Sequence, residues 1–102
     1  MFDVDGKHYE LKMNMNRLEL VEGVTGKSMM AELKQTEGMF PLYVMKACFQ
    51  LCCREVGSTD FLNQDRGQQV FERYIGEAGY SACVAAVVEA MMKDLPFLFQ
   101  VS

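Results

Sequence analysis

The stretch that decides the fold is Phe2-Asp3-Val4-Asp5-Gly6-Lys7-His8-Tyr9-Glu10-Leu11-Lys12-Met13. Asp5-Gly6 readily supplies the positive φ angles of a two-residue type I′ turn, so the flanking runs read as a β-hairpin over residues 1–13. Side chains alternate across a strand, which puts Phe2 and Val4 on one face with Tyr9, Leu11 and Met13. Asp3, His8, Glu10 and Lys12 take the other face. A hairpin with one apolar face needs something to pack on, and the rest of the chain supplies helices.

Beyond the hairpin, Asn14 or Asn16 can cap a helix over residues 14–24 in which Leu18, Val21 and Val24 repeat at helical spacing until Thr25-Gly26. Ser28 caps a second helix over 28–35, with Met29, Met30 and Leu33 apolar and Glu37-Gly38 as its stop. Pro41 opens a third over 41–56, with Gly57 at its C-terminal cap; only Lys46, Gln50, Arg54 and Glu55 form a polar edge, so this helix is expected at the centre. Asp60 or Asn63 starts a fourth, over 63–78, with Val70, Phe71, Tyr74 and Ile75 inward; Gly67 and Gly76 weaken it. Ser81 caps a fifth over 81–93, which must end because Leu95 precedes Pro96. An apolar tail, 95–102, follows. The expected fold is mostly α, of α+β type: an N-terminal hairpin on a bundle of four to five short helices, in one domain spanning 1–102.

With 102 residues, half of them apolar and 24% charged, the chain has the composition of a globular domain rather than of a disordered segment. Ten basic against fourteen acidic residues give a net charge of −4, and the basic residues are scattered singly. Nucleic-acid binding and adsorption to anionic membranes are therefore not expected, since both draw on a concentrated basic footprint. The longest nearly uncharged stretch, Tyr80 to Met92, is shorter than the 20 or so residues a spanning helix needs. Asp3 and Asp5 stand where a signal peptide carries positive charge, so the expected location is the cytoplasm.

No catalytic residue, metal site or cofactor is expected. Gly26-Lys27-Ser28 matches the end of a phosphate-binding loop, but Val21 stands where that loop needs its first glycine, and the preceding segment reads as helix. His8, the single histidine, faces Asp3 on the wet side of the hairpin with no nucleophile near in sequence. Cys48, Cys52 and Cys53 crowd one helix and read as reduced core thiols, without a second pair at zinc-site spacing. Asp60 to Asp65 lacks the glycine and terminal glutamate of a calcium loop.

Methionine stands out, at nine residues. Its flexible thioether fills gaps in cores, the role assigned to Met13, Met45 and Met91, and it also makes surfaces that adapt to varied apolar partners. Met29, Met30, Met39 and Phe40, beside weak helix signals, are the candidate partner-binding set. Phe97, Leu98 and Phe99 are a second candidate, for self-association or client contact, against the simpler role of docking on the chain's own core.

The run Val4 to Lys12 followed by short helices resembles the tail assembly chaperones of long-tailed bacteriophages and prophages. Leu18-Glu19-Leu20-Val21-Glu22-Gly23-Val24-Thr25-Gly26 is similar to that family's first helix. Phe71-Glu72-Arg73-Tyr74-Ile75-Gly76-Glu77-Ala78-Gly79-Tyr80, with the helix from Val84 to Met92, resembles its C-terminal pair. The resemblance is one of pattern and fixes no contact residue. It implies a protein that binds and solubilises the helical tape measure protein before tail tube subunits polymerise around it. It also implies contact with the tail tube protein through a frameshifted long form, and a homo-oligomer would help such a coat. A small acidic helical adaptor or inhibitor of phage or bacterial origin is the alternative.

Overall fold

The computed structural model describes residues 1–99. Its elements are strands β1 (Phe2–Val4) and β2 (Lys7–Leu11), helices α1 (Met15–Thr25), α2 (Met29–Thr36) and α3 (Leu42–Cys52), strand β3 (Cys53–Glu55), helices α4 (Gln64–Ala78) and α5 (Tyr80–Asp94), and a 3-10 turn over Pro96–Phe99. The chain is a mostly helical α+β fold, with the N-terminal hairpin and five helices in the expected order.

Asp5 and Gly6 take φ of 52° and 79°, the left-handed pair a type I′ turn requires. The register pairs Phe2 with Tyr9, Asp3 with His8 and Val4 with Lys7. Phe2, Val4, Tyr9, Leu11 and Met13 are all buried. The phenyl ring of Phe2 lies 4.5 Å from that of Tyr74 on α4 and 5.4 Å from that of Phe49 on α3, and Phe49 lies 5.1 Å from Phe71. This aromatic cluster fastens the hairpin to the α3–α4 pair.

The third helix is shorter than the sequence pattern predicts. It stops at Cys52, and Cys53–Glu55 becomes a third strand, antiparallel to β2, with Leu11 opposite Cys53, Glu10 opposite Arg54 and Tyr9 opposite Glu55. The switch is held by partners far away in sequence. The carbonyls of Leu51, Cys52 and Cys53 accept from Arg17 Nη1 (2.9 Å), the Lys12 N–H (2.8 Å) and the Leu62 N–H (2.9 Å). A helix end with its orphan carbonyls already satisfied has no need of a left-handed cap. Gly57, at φ 90°, belongs instead to the turn that follows β3.

Asn14, Ser28 and Asn63 cap α1, α2 and α4, each side-chain oxygen accepting an N–H from three residues on. Helix α5 begins earlier than expected. Gly79, at φ 96°, joins it directly to α4, so Ser81 lies inside the first turn and makes no cap bond. The Tyr80 hydroxyl there donates to the Phe40 carbonyl at 2.6 Å.

Helix α3 is the axis of the bundle, with Val44, Met45, Ala47, Cys48, Phe49, Leu51 and Cys52 buried. Helix α1 packs on it, and Arg17 near the α1 start reaches the Leu51 carbonyl at the α3 end. Helix α4 crosses it closely at Gly67, whose absent Cβ would lie 2.5 Å from the Phe49 carbonyl oxygen. The far end of α5 is tied to the sheet by Asp94, which accepts the Met13 N–H at 2.9 Å and stands 3.6 Å from Lys12 Nζ.

Candidate interaction surface

Of the four residues expected to form an adaptable surface, two are core. Met29 and Phe40 are 0% and 1% exposed, Met30 is half-buried, and only Met39 stands out, at 63%. The reason is local geometry. Met29 is the first residue of α2, and its N–H donates to Glu22 Oε2 at 2.9 Å, which folds the start of α2 back over the end of α1. Phe40 is drawn inward because its carbonyl receives the Tyr80 hydroxyl. Weak helix signals therefore mark a tight, buried junction here rather than a loose exposed one.

Exposed apolar residues are spread over several elements, and three of them lie close in sequence at the corner between α2 and α3, where Met39 is followed by Leu42 (57%) and Tyr43 (47%). The α1 residues Leu20 and Val24 are also exposed, so Val24 departs from the buried role its spacing gave it. The signal that finds this corner lies in the α3 polar edge. Lys46 and Gln50 mark the outer side, and one turn back that side reaches Leu42 and Tyr43.

A second exposed area, of mixed polarity, lies on α5. Ser81, Ala85, Glu89, Met92 and Lys93 are its exposed positions, and Phe97 in the 3-10 turn is 48% exposed. Leu98 and Phe99 are half-buried and pack against the core, so the predicted tail triplet is divided between surface and interior. Its continuation, 100–102, lies outside the described residues. Between α5 and the sheet is an open groove of about 530 Å³, floored by Ala82, Ala85, Ala86 and Ala90 and walled by Met1 and Val56.

The polar groups are mostly tied up in pairs. His8 Nδ1 bonds Asp3 Oδ1 on the wet face of the hairpin, as their facing positions suggest, and Glu10 lies 3.7 Å from Arg54. A second cavity, about 390 Å³, lies between the hairpin and α4, where Arg73 grips Asp5 at 2.6 and 3.1 Å. The hydrogen bond from Arg73 holds the Asp5 carboxyl below its ordinary value. Burial pushes the Cys48 thiol well up, with Cys52 and Cys53 raised to about 12 and Cys83 to about 11, so these sulfurs stay protonated and poorly nucleophilic at neutral pH. Among the described residues no group of three or more His, Cys, Asp or Glu side chains is placed to hold a metal ion. Among the described residues no helix is long and apolar enough to cross a membrane.

No protein-family model matches this chain, and no curated protein or solved structure matches it.

Proposed function

We propose that this protein is a phage tail assembly chaperone, which binds the helical tape measure protein and keeps it soluble before tail tube subunits polymerise around it. The observation that carries the reading is the corner of Met39, Leu42 and Tyr43, three large apolar side chains exposed together on a small acidic domain. A flexible thioether beside a leucine and an amphipathic tyrosine suits an apolar helix face, because such side chains repack against different partners at small entropic cost. Net charge of −4 keeps the domain soluble with this corner uncovered. The resemblance of its element pattern to the tail chaperones supplies the client. A long client presents many such helix faces, so contacts that are weak singly become strong together.

The test is co-expression with a phage tape measure protein, taken from the gene next to this one if that gene encodes one. The expected result is a rise in the soluble yield of that client and co-purification of the two proteins. Unchanged yield with no co-purification overturns the reading, and would favour an adaptor or inhibitor acting on some other protein.

A further inference from the structure

On α4, Arg66, Gln69, Val70 and Arg73 recur at helical spacing and form one stripe, which borders the cavity of about 390 Å³ beside the hairpin. The hairpin supplies the opposite wall with Val4, Lys7 and Tyr9, which strand alternation and the Val4–Lys7 pairing put on one face of the ribbon. Val4, Tyr9 and Val70 are buried side chains, so the cavity has an apolar lining. Its basic groups are unequally matched. Arg73 is taken up by the Asp5 carboxylate at 2.6 and 3.1 Å, and Lys7 lies 3.4 Å from Glu55. Arg66 makes no ion pair among the described residues. Its Nη1 donates to Gln69 Oε1 at 3.1 Å and its Nη2 to the Tyr9 hydroxyl at 3.4 Å, and both acceptors are neutral. These two bonds fix the plane of the guanidinium while leaving its charge unbalanced and its other N–H groups free.

We infer that this cavity binds a carboxylate carried on a short apolar group, with Arg66 holding the carboxylate and Val4, Tyr9 and Val70 receiving the apolar part. A guanidinium is a planar fork that matches a carboxylate with two parallel hydrogen bonds. The same stripe already does this once for the chain's own carboxylate, where Arg73 grips Asp5. What sets Arg66 apart from a solvated surface arginine is the pair of bonds that hold its fork beside a cavity with buried apolar walls. The choice of anion follows from charge. A phosphate group brings close to two negative charges at neutral pH, against one unpaired cation and with Asp5 and Glu72 on the same wall, whereas a carboxylate brings one. The volume is at the small end of ligand cavities, which suits a single side chain or a short acyl chain and not a large cofactor. The C-terminal residue of a polypeptide and a free short-chain organic acid share this chemistry. One charged contact and one small apolar contact give weak binding, with a dissociation constant of about 1 mM.

This inference stands apart from the chaperone reading, and its test needs no client. Amide chemical shifts of the isotope-labelled full chain are followed at neutral pH and constant ionic strength while four probes are titrated to about 50 mM, well past the expected midpoint. The probes are N-acetyl-leucine, its neutral amide, hexanoate and inorganic phosphate. The two acids are expected to shift the amides of residues 4–9 and 66–73 in a saturable way, and the neutral amide to bind about tenfold or more weakly, having lost the charge-assisted pair. N-acetyl-leucine binding about tenfold tighter than hexanoate identifies a polypeptide C-terminus as the source, and equal or tighter binding of hexanoate identifies a free acid. In R66Q the acid shifts are expected to be lost while the urea midpoint stays near wild type, because Arg66 is exposed. R66K, which keeps the charge without the fork, is expected to bind several-fold more weakly than wild type. Acids that cause no saturable shift in the wild-type protein overturn the inference. So does a neutral amide that binds as well as the acid, phosphate that binds more tightly than both acids, or R66Q that binds the acids like wild type.

Discussion

Gly67 on α4 rests against the backbone of Phe49 on α3, so closely that a Cβ at residue 67 would stand 2.5 Å from the Phe49 carbonyl oxygen and 2.7 Å from the Gln50 Cα. Both neighbours are backbone, which cannot swing aside. Alanine is the better helix former by about 1 kcal/mol, yet at this crossing the two helices must separate to admit it. Gly67→Ala is expected to destabilise the protein by about 1–3 kcal/mol. Gly76→Ala on the same helix meets nothing within 4 Å and is expected to gain about 0.5–1 kcal/mol. Urea midpoints of the two variants, falling on opposite sides of wild type, check the pair.

What was legible in the sequence, and what was not, divides along sequence distance. The hairpin, its register and its buried face follow from Asp5-Gly6 and two-residue alternation, and the caps at Asn14, Ser28 and Asn63 from residue type and position. Strand β3 was not legible, because Cys53-Arg54-Glu55 continues an apolar helical run and its change of geometry depends on Arg17, Lys12 and Leu62. In sequence, Gly67 reads as a weak spot in a helix; only the α3 crossing makes it a fitted contact. The candidate surface was half legible: Met39 stands out as expected, while Met29 and Phe40 are drawn into the core by Glu22 and Tyr80, which no local pattern reveals.

Arg17 joins three elements at once. Its Nη1 donates to the Leu51 carbonyl at the α3 end, and its guanidinium lies 3.8 Å from the centre of the Phe61 ring. A lysine keeps the charge but loses the planar stack and the geometry of the bond. Arg17→Lys is expected to cost about 1–2 kcal/mol, read as a lowered melting temperature, and a variant as stable as wild type would show that the α3 end holds without it.

The four thiols give a prediction in pH. Burial raises Cys52 and Cys53 from 9.0 to about 12 in the folded state. A thiol whose pKa is higher folded than unfolded favours folding fully below the unfolded value, and that contribution is lost as pH rises from about 9 toward the folded value. Stability is therefore expected to be flat in thiol terms at neutral pH and to fall above about pH 9, by up to about 1.4 kcal/mol per pH unit for each well-buried thiol. Replacing Cys52 and Cys53 with alanine should flatten this alkaline fall while lowering stability at neutral pH. Alkylation of native protein at pH 8 should leave all four cysteines largely unmodified, and denaturant should expose them together.

The last prediction separates core from surface in the very segment where sequence alone joined them. Phe40 is 1% exposed, so Phe40→Ala removes a packed ring and is expected to cost about 3–5 kcal/mol, whatever happens to binding. Leu42 and Tyr43 are exposed at 57% and 47%, and changing both to serine should move stability by no more than about 1 kcal/mol, since surface positions contribute within about 0.5 kcal/mol each. If the corner is where the tape measure protein docks, an aromatic and an aliphatic anchor lost together should weaken its capture by about 2 kcal/mol or more, roughly 30-fold, because a few such anchors carry most of an interface's energy. The readout is the midpoint of client binding, measured beside the urea midpoint of the free protein. A doubly substituted protein that stays folded and still captures the tape measure protein at wild-type affinity would remove this corner from the binding surface, and the exposed α1 residues Leu20 and Val24 would then be the apolar side chains to change next.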